Sequence, residues 1–207
     1  MRKFLLSTAR RVAAGVAILT GLGLCATTGI AMAAACPVQA SATPFAKWGD
    51  TSSYFLAPGG AFEGSASTLG WSLDNASLTI GNEPFRVHAA GDLQSLTIGA
   101  GGSATSPSMC LDRTMPYFQF FVRQVTPGSD LRVELVIADG YAHWPPTTVT
   151  ALANGSAPVW RPVGRVFLVS GMLPPGLSVD AGLRFEVPGG AGSWQIDDVH
   201  MDPYRVN

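Results

Sequence analysis

Beyond residue 70 the chain alternates between short apolar-rich runs and clusters of Gly, Pro, Asn and Asp. The runs read as strands over Trp71–Ile80, Phe85–His88, Ser95–Ile98, Ala104–Met109, Tyr117–Gln124, Leu131–Ala138, Thr147–Leu152, Val163–Val169, Leu183–Val187 and Ser193–Met201. In Leu131-Arg132-Val133-Glu134-Leu135 the apolar residues share one face and the charges the other, and Leu183-Arg184-Phe185-Glu186-Val187 repeats the pattern. Such period-two alternation belongs to antiparallel sheet with one wet face. No long amphipathic helix follows residue 36. Many short strands without helices predict an all-β antiparallel β-sandwich or jelly roll, forming a single domain over residues 58–207. Residues 36–57 read as a mostly irregular N-terminal lead-in.

The first 35 residues follow a different rule. Arg2, Lys3, Arg10 and Arg11 precede the apolar stretch Val12–Leu24, and Ala31-Met32-Ala33 and Ala33-Ala34-Ala35 supply small-residue cleavage sites. The apolar stretch is too short to cross a hydrocarbon core of about 30 Å. Residues 1–35 therefore predict a secretory signal peptide, with a mature chain that is secreted or held at the cell surface and has no membrane span.

Composition and charge fit that picture. Charged residues make up 13% of the chain and apolar residues 47%, which supports a buried core and excludes a disordered chain. Removing the basic leader leaves nine Lys and Arg against 14 acids, a net charge of −5, so the basic footprint of a nucleic-acid binder is missing. Of the three cysteines, Cys25 falls in the leader, and the remaining pair, Cys36 and Cys110, predicts a disulfide in an oxidising compartment.

Two segments carry a family resemblance. Pro58-Gly59-Gly60-Ala61-Phe62-Glu63-Gly64, followed by Leu69-Gly70-Trp71, resembles the N-G-x-F-E … G-W opening of carbohydrate-binding-module jelly rolls, the galactose-binding-domain-like sandwiches. Ser193-Trp194-Gln195-Ile196-Asp197-Asp198-Val199-His200-Met201 resembles their aromatic-x-I-D-D-V final strand. The opening departs from the family at Pro58 and Gly59, where Asn is usual. With Trp48-Gly49-Asp50, Tyr54-Phe55-Leu56 and the same two ends, the chain also resembles small secreted actinobacterial proteins of unknown function, a likeness that supplies no activity. The family resemblance implies a non-catalytic module for extracellular or cell-wall carbohydrate and a structural Ca²⁺ near Glu63 and Asp197 or Asp198. The alternative class is a structural or protein-interaction component of the cell surface with no sugar site.

The residues give the metal expectation a physical side. Strand alternation sends Asp197 and Asp198 to opposite faces, so one must turn inward or to the edge. An inward carboxylate is costly unless paired, and no basic residue lies between Arg184 and Arg205. A bound cation or a set of backbone N–H groups would each resolve this. A zinc site finds no H-x-x-x-H or C-x-x-C spacing, and G-x-S-x-G is absent. Glu83, Asp92 and Glu134 show no glycosidase pairing that spacing can reveal. The expectation is a non-enzyme without a catalytic cofactor. For ligand contact, Tyr117, Gln119, Phe121 and Arg123 share one strand face, with Phe118 and Phe120 on the other, and Trp144 stands in an aromatic loop.

Overall fold

The computed structural model describes residues 36–137, 147–155 and 158–203. The predicted signal peptide and Trp144 lie outside the described residues. The strands are β1 (Phe55–Leu56), β2 (Ser72–Ile80), β3 (Gln94–Thr105), β4 (Met109–Asp112), β5 (Tyr117–Thr126), β6 (Leu131–Ile137), β7 (Thr147–Leu152), β8 (Arg161–Pro162), β9 (Val166–Phe167), β10 (Ser178–Glu186) and β11 (Ser193–Asp202). A single-turn helix, α1 (Ala66–Leu69), follows Ser65, whose hydroxyl accepts the Thr68 N–H at its N-terminus. Among the described residues no helix is long and apolar enough to cross a membrane.

All pairings are antiparallel, in the order β7-β6-β10-β3-β11-β5-β8, with β1 on β11, β2 on β3, β4 on β10 and β9 on β5. The sheet curls into two facing layers. Phe120 of β5 and Phe185 of β10 are not on neighbouring strands, yet their rings meet edge-on at 5.1 Å. β3 makes the turn between layers: Leu96–Gly99 pair with β11, and Ser103–Thr105 pair with β10. The sequence reads as two strands broken by Gly99-Ala100-Gly101-Gly102, but the glycines lie inside one strand. At Gly102 a Cβ would come 2.5 Å from the Asn75 carbonyl oxygen, so the crossing of β2 over the bend requires glycine.

Between the layers lie Leu96, Ile98, Phe118, Phe120, Val122, Leu131, Val133, Leu183, Phe185, Trp194 and Ile196, all fully buried. This is the alternation expected of β5, β6, β10 and β11. The outward face of β5 is partly covered by two irregular segments. From the lead-in, Phe45 stacks on Phe121 at 5.4 Å and Tyr54 packs on Phe45. From the other side comes the loop of residues 81–93, which occupies the position of the predicted strand Phe85–His88. Glu83 explains that difference. Its buried carboxylate accepts the Phe85 N–H and, at 2.7 Å, the Val87 N–H, so these donors serve a turn instead of a ladder. A disulfide joins Cys36 to Cys110 and ties the lead-in to β4.

Candidate functional site

The lead-in and the β8–β9 connection form the walls of a groove of about 460 Å³ at one end of the outward face of β5. Trp48 and Phe45 supply its aromatic wall, Gln119 lies on its floor, and Asp50 and Arg165 bring charge. A 3-10 turn, Ala46–Trp48, sets Trp48, whose ring meets Phe85 edge-on at 4.8 Å and Phe121 at 5.2 Å. Asp50 is held from three sides. Its Oδ2 accepts the Tyr54 hydroxyl and the Gln119 Nε2–H, each at 2.6 Å, and its Oδ1 accepts the Ser52 N–H at 3.0 Å. Partial burial pushes this carboxyl up, but the bonds from Tyr54, Ser52 and Gln119 outweigh it and hold Asp50 below its ordinary value. Arg165 lies over the Tyr117 ring at 4.3 Å, with its Nε 4.0 Å from Asp50 Oδ2, and it donates to Asp202.

The expected ligand face is therefore divided. Gln119 lines the groove, and Tyr117 supports Arg165 from below. Phe121 shares their face but is fully buried beneath Phe45, Trp48 and Phe85. Arg123 lies beyond this plug: its Nε donates to Gln195 at 2.5 Å and its guanidinium lies over Trp160. Gln195 in turn donates to Thr97 at 2.8 Å and Thr79 at 3.2 Å, completing a polar row across four strands.

A second group of polar side chains gathers where the 81–93 loop meets β11. β11 pairs Asp197 with Phe121 but His200 with Gln119, so an extra residue is inserted, and Asp198 takes a left-handed φ of 47°. The bulge cancels the alternation that would have separated the two aspartates. Asp197 Oδ2 accepts the Glu83 N–H at 2.9 Å, and its Oδ1 accepts the Asp198 N–H, also at 2.9 Å. Asp198 lies with His88 and Asp92, one ligand atom of each being within 4.8 Å of the others. Both aspartates are fully buried and pushed well above the carboxylate range. Desolvation is the main cause; the Asp198 charge adds to it at Asp197, and the Glu83 and Asp92 charges at Asp198. Burial also pushes His200 down to about 4, and its Nδ1 lies 2.8 Å from the Asp198 carbonyl oxygen.

Glu63 is placed apart from the three converging side chains. Its Oε1 accepts the N–H groups of Leu93 and Gln94 at 2.6 and 2.7 Å. Arg165, His88 and Asp92 carry no motif that marks them, and Asp50 is marked only within Trp48-Gly49-Asp50, which says nothing of a ligand. The one local signal is the spacing of His88 and Asp92, four residues apart, with His88 Nδ1 2.8 Å from Asp92 Oδ2.

No protein-family model matches the chain, and no curated protein matches it. Solved structures do. The chain is similar to the CBM22-1 xylan-binding domain of Paenibacillus barcinonensis Xyn10C, with 14% identity over 82% of this chain and 96% of that one, at a TM-score of 0.47. It is similar to the family 11 carbohydrate-binding module of Clostridium thermocellum in complex with a mixed-linked tetrasaccharide, with 12% identity over 69% and 92% of the two chains, at 0.44. It is also similar to the CBM22-1–GH10 modules of Clostridium thermocellum xylanase 10B complexed with xylohexaose, with 16% identity over 71% of this chain, at 0.47. It spans only 28% of that multi-module structure. These neighbours contain carbohydrate-binding modules. At such identities the likeness concerns the fold, and what each neighbour binds is a property of that neighbour.

Proposed function

We propose that the protein is a secreted, non-catalytic module that binds extracellular or cell-wall carbohydrate in the groove of Trp48, Asp50, Gln119 and Arg165. The observation that carries this reading is the placement of an aromatic ring, a carboxylate and a guanidinium in one cleft. A pyranose presents an apolar face and a rim of hydroxyls. A partly exposed tryptophan suits the face, and adjacent hydroxyls need an acceptor and a donor side by side, as Asp50 and Arg165 are. The groove is also set before any ligand arrives: Asp50 is fixed by Tyr54 and Gln119, and Arg165 by Tyr117 and Asp202. Fixed groups cost less ordering on binding.

The test is a glycan array with the mature chain, followed by titration calorimetry with the best ligands. Binding that Arg165→Ala weakens at least tenfold, with the fold intact by circular dichroism, supports the reading. Binding of no glycan, or binding indifferent to both Arg165→Ala and Asp50→Asn, overturns it.

A further inference from the structure

Asp198 is fully buried, and among the described residues neither of its carboxylate oxygens meets a partner at full hydrogen-bond geometry, although the His88 N–H and the Glu83 carboxyl stand close enough to act on it. A carboxylate in that state is tolerated only if a proton sits on it or something positive faces it. It does not stand alone. Asp92, 5% exposed, and His88 bring their ligand atoms within 4.8 Å of it and of each other. Glu83 and Asp197 are also buried there, with both oxygens of each on backbone N–H groups: Glu83 on Phe85 and Val87, Asp197 on Glu83 and Asp198; Asp92 gives only Oδ2 this way, to the Ala89 N–H at 3.0 Å and the His88 ring. Asp198 therefore faces the His88 imidazole and the Asp92 carboxylate, with the Glu83 carboxyl beside them.

The calcium implied by the family resemblance fits this set poorly. Ca²⁺ takes six to eight oxygen ligands. Glu63 is outside the converging set, with Oε1 committed to Leu93 and Gln94, and the third donor here is an imidazole nitrogen. One nitrogen and two carboxylates suit a borderline ion with low coordination number, with water completing the shell.

We propose that His88, Asp92 and Asp198 form a binding site for a divalent transition-metal ion of the zinc class, which ties the 81–93 loop to β11. The sequence hides the site because its donors come from two segments and only one is a histidine. His88 is exposed and gives the ion a way in from solvent, while Asp198 closes the far side from the interior. The 2.8 Å contact between His88 Nδ1 and Asp92 Oδ2 holds two of the three side chains together before an ion arrives. Phe85, in the same loop, leans on Trp48, so an ion that fixes the loop also supports a wall of the groove.

The experiment uses the untagged full chain, stripped with chelator, in thermal unfolding and calorimetric titration with zinc sulfate and, in parallel, calcium chloride. Zinc is expected to bind at one ion per chain and to raise the midpoint by several degrees, with calcium giving a much smaller shift. Cobalt in place of zinc should give visible ligand-field bands. His88→Ala, a change at an exposed residue, should weaken zinc binding at least tenfold and abolish those bands. Asp198→Asn, which keeps the side chain's size but removes the anionic oxygen an ion would bind, should erase the zinc response. If Asp198→Asn fails to fold, His88→Ala and the cobalt spectrum still decide. No zinc-dependent shift, a zinc response that His88→Ala leaves intact, or a calcium shift equal to that of zinc overturns the proposal.

Discussion

Asp197 and Asp198, neighbours on one strand, both turn their carboxylates to the same loop: Asp197 receives the Glu83 N–H, and Asp198 meets His88 and Asp92. The bulge at Asp198 makes this possible, and it changes what each residue does. Asp197 satisfies two buried backbone donors at 2.9 Å, whereas no donor among the described residues meets Asp198 at full hydrogen-bond geometry. Asp197→Ala should therefore destabilise the fold by about 2–6 kcal/mol, since it orphans two buried N–H groups at roughly 1–3 each. Urea unfolding measures this, and a change below about 1 kcal/mol would mean that water replaces the carboxylate.

Phe121→Ala should cost about 3–5 kcal/mol, the range for large aromatic deletions in a core, because its ring is buried under Phe45, Trp48 and Phe85. Arg123→Ala, two residues along the same face and partly exposed, should stay within about 1 kcal/mol. Chemical denaturation of the two variants separates a plug residue from a surface one. Equal costs would contradict the division of this face.

Asp50 should contribute to acid sensitivity. Its folded-state value lies below the ordinary one, so its stabilising contribution is present above the unfolded-state value, near 4, and is lost as pH falls through the folded value. Asp50→Asn should flatten the fall in urea midpoint on the acid side of about pH 4 and lower stability at pH 7. A variant with the parent's acid limb would show that the Tyr54, Ser52 and Gln119 bonds do not favour the ionised form.

The disulfide closes a loop between residues 74 apart. Chain-entropy reasoning assigns such a link roughly 4 kcal/mol. The Cys36→Ser/Cys110→Ser double variant should melt several degrees lower, by calorimetry, with the groove's ligand affinity little changed. An unchanged melting curve would show that the lead-in is held without the link, by Phe45 and Tyr54 on Phe121.

Much of the fold is legible in the sequence because strands with one buried face announce themselves. Phe118, Phe120 and Val122 alternate with Gln119, Phe121 and Arg123, and the structure keeps that division. The loop at Phe85–His88 mimics the signal: Phe85 and Val87 alternate with Arg86 and His88, and both apolar side chains pack on the Phe121 cluster. Its backbone donors go to Glu83, a destination that no local pattern reveals. The groove is illegible for a related reason. Asp50 and Arg165 sit in irregular segments far apart in sequence, and only the curl of the sheet and the docking of the lead-in bring them together. The resemblance at the two ends marks Asp197 and Asp198, but not the bulge that decides where they point.

The groove lies beside the edge of the sheet where, among the described residues, β5 meets the two-residue strands β8 and β9 on its outer side. An open edge invites another polypeptide to add itself as a strand. Here the outermost pairing is brief and contains Pro162, which has no N–H to offer. A long, regular edge at this position would place a self-association template next to the cleft. The proline and the short pairings make this rim a poor template, so copies of the chain at high local concentration should not polymerise through it.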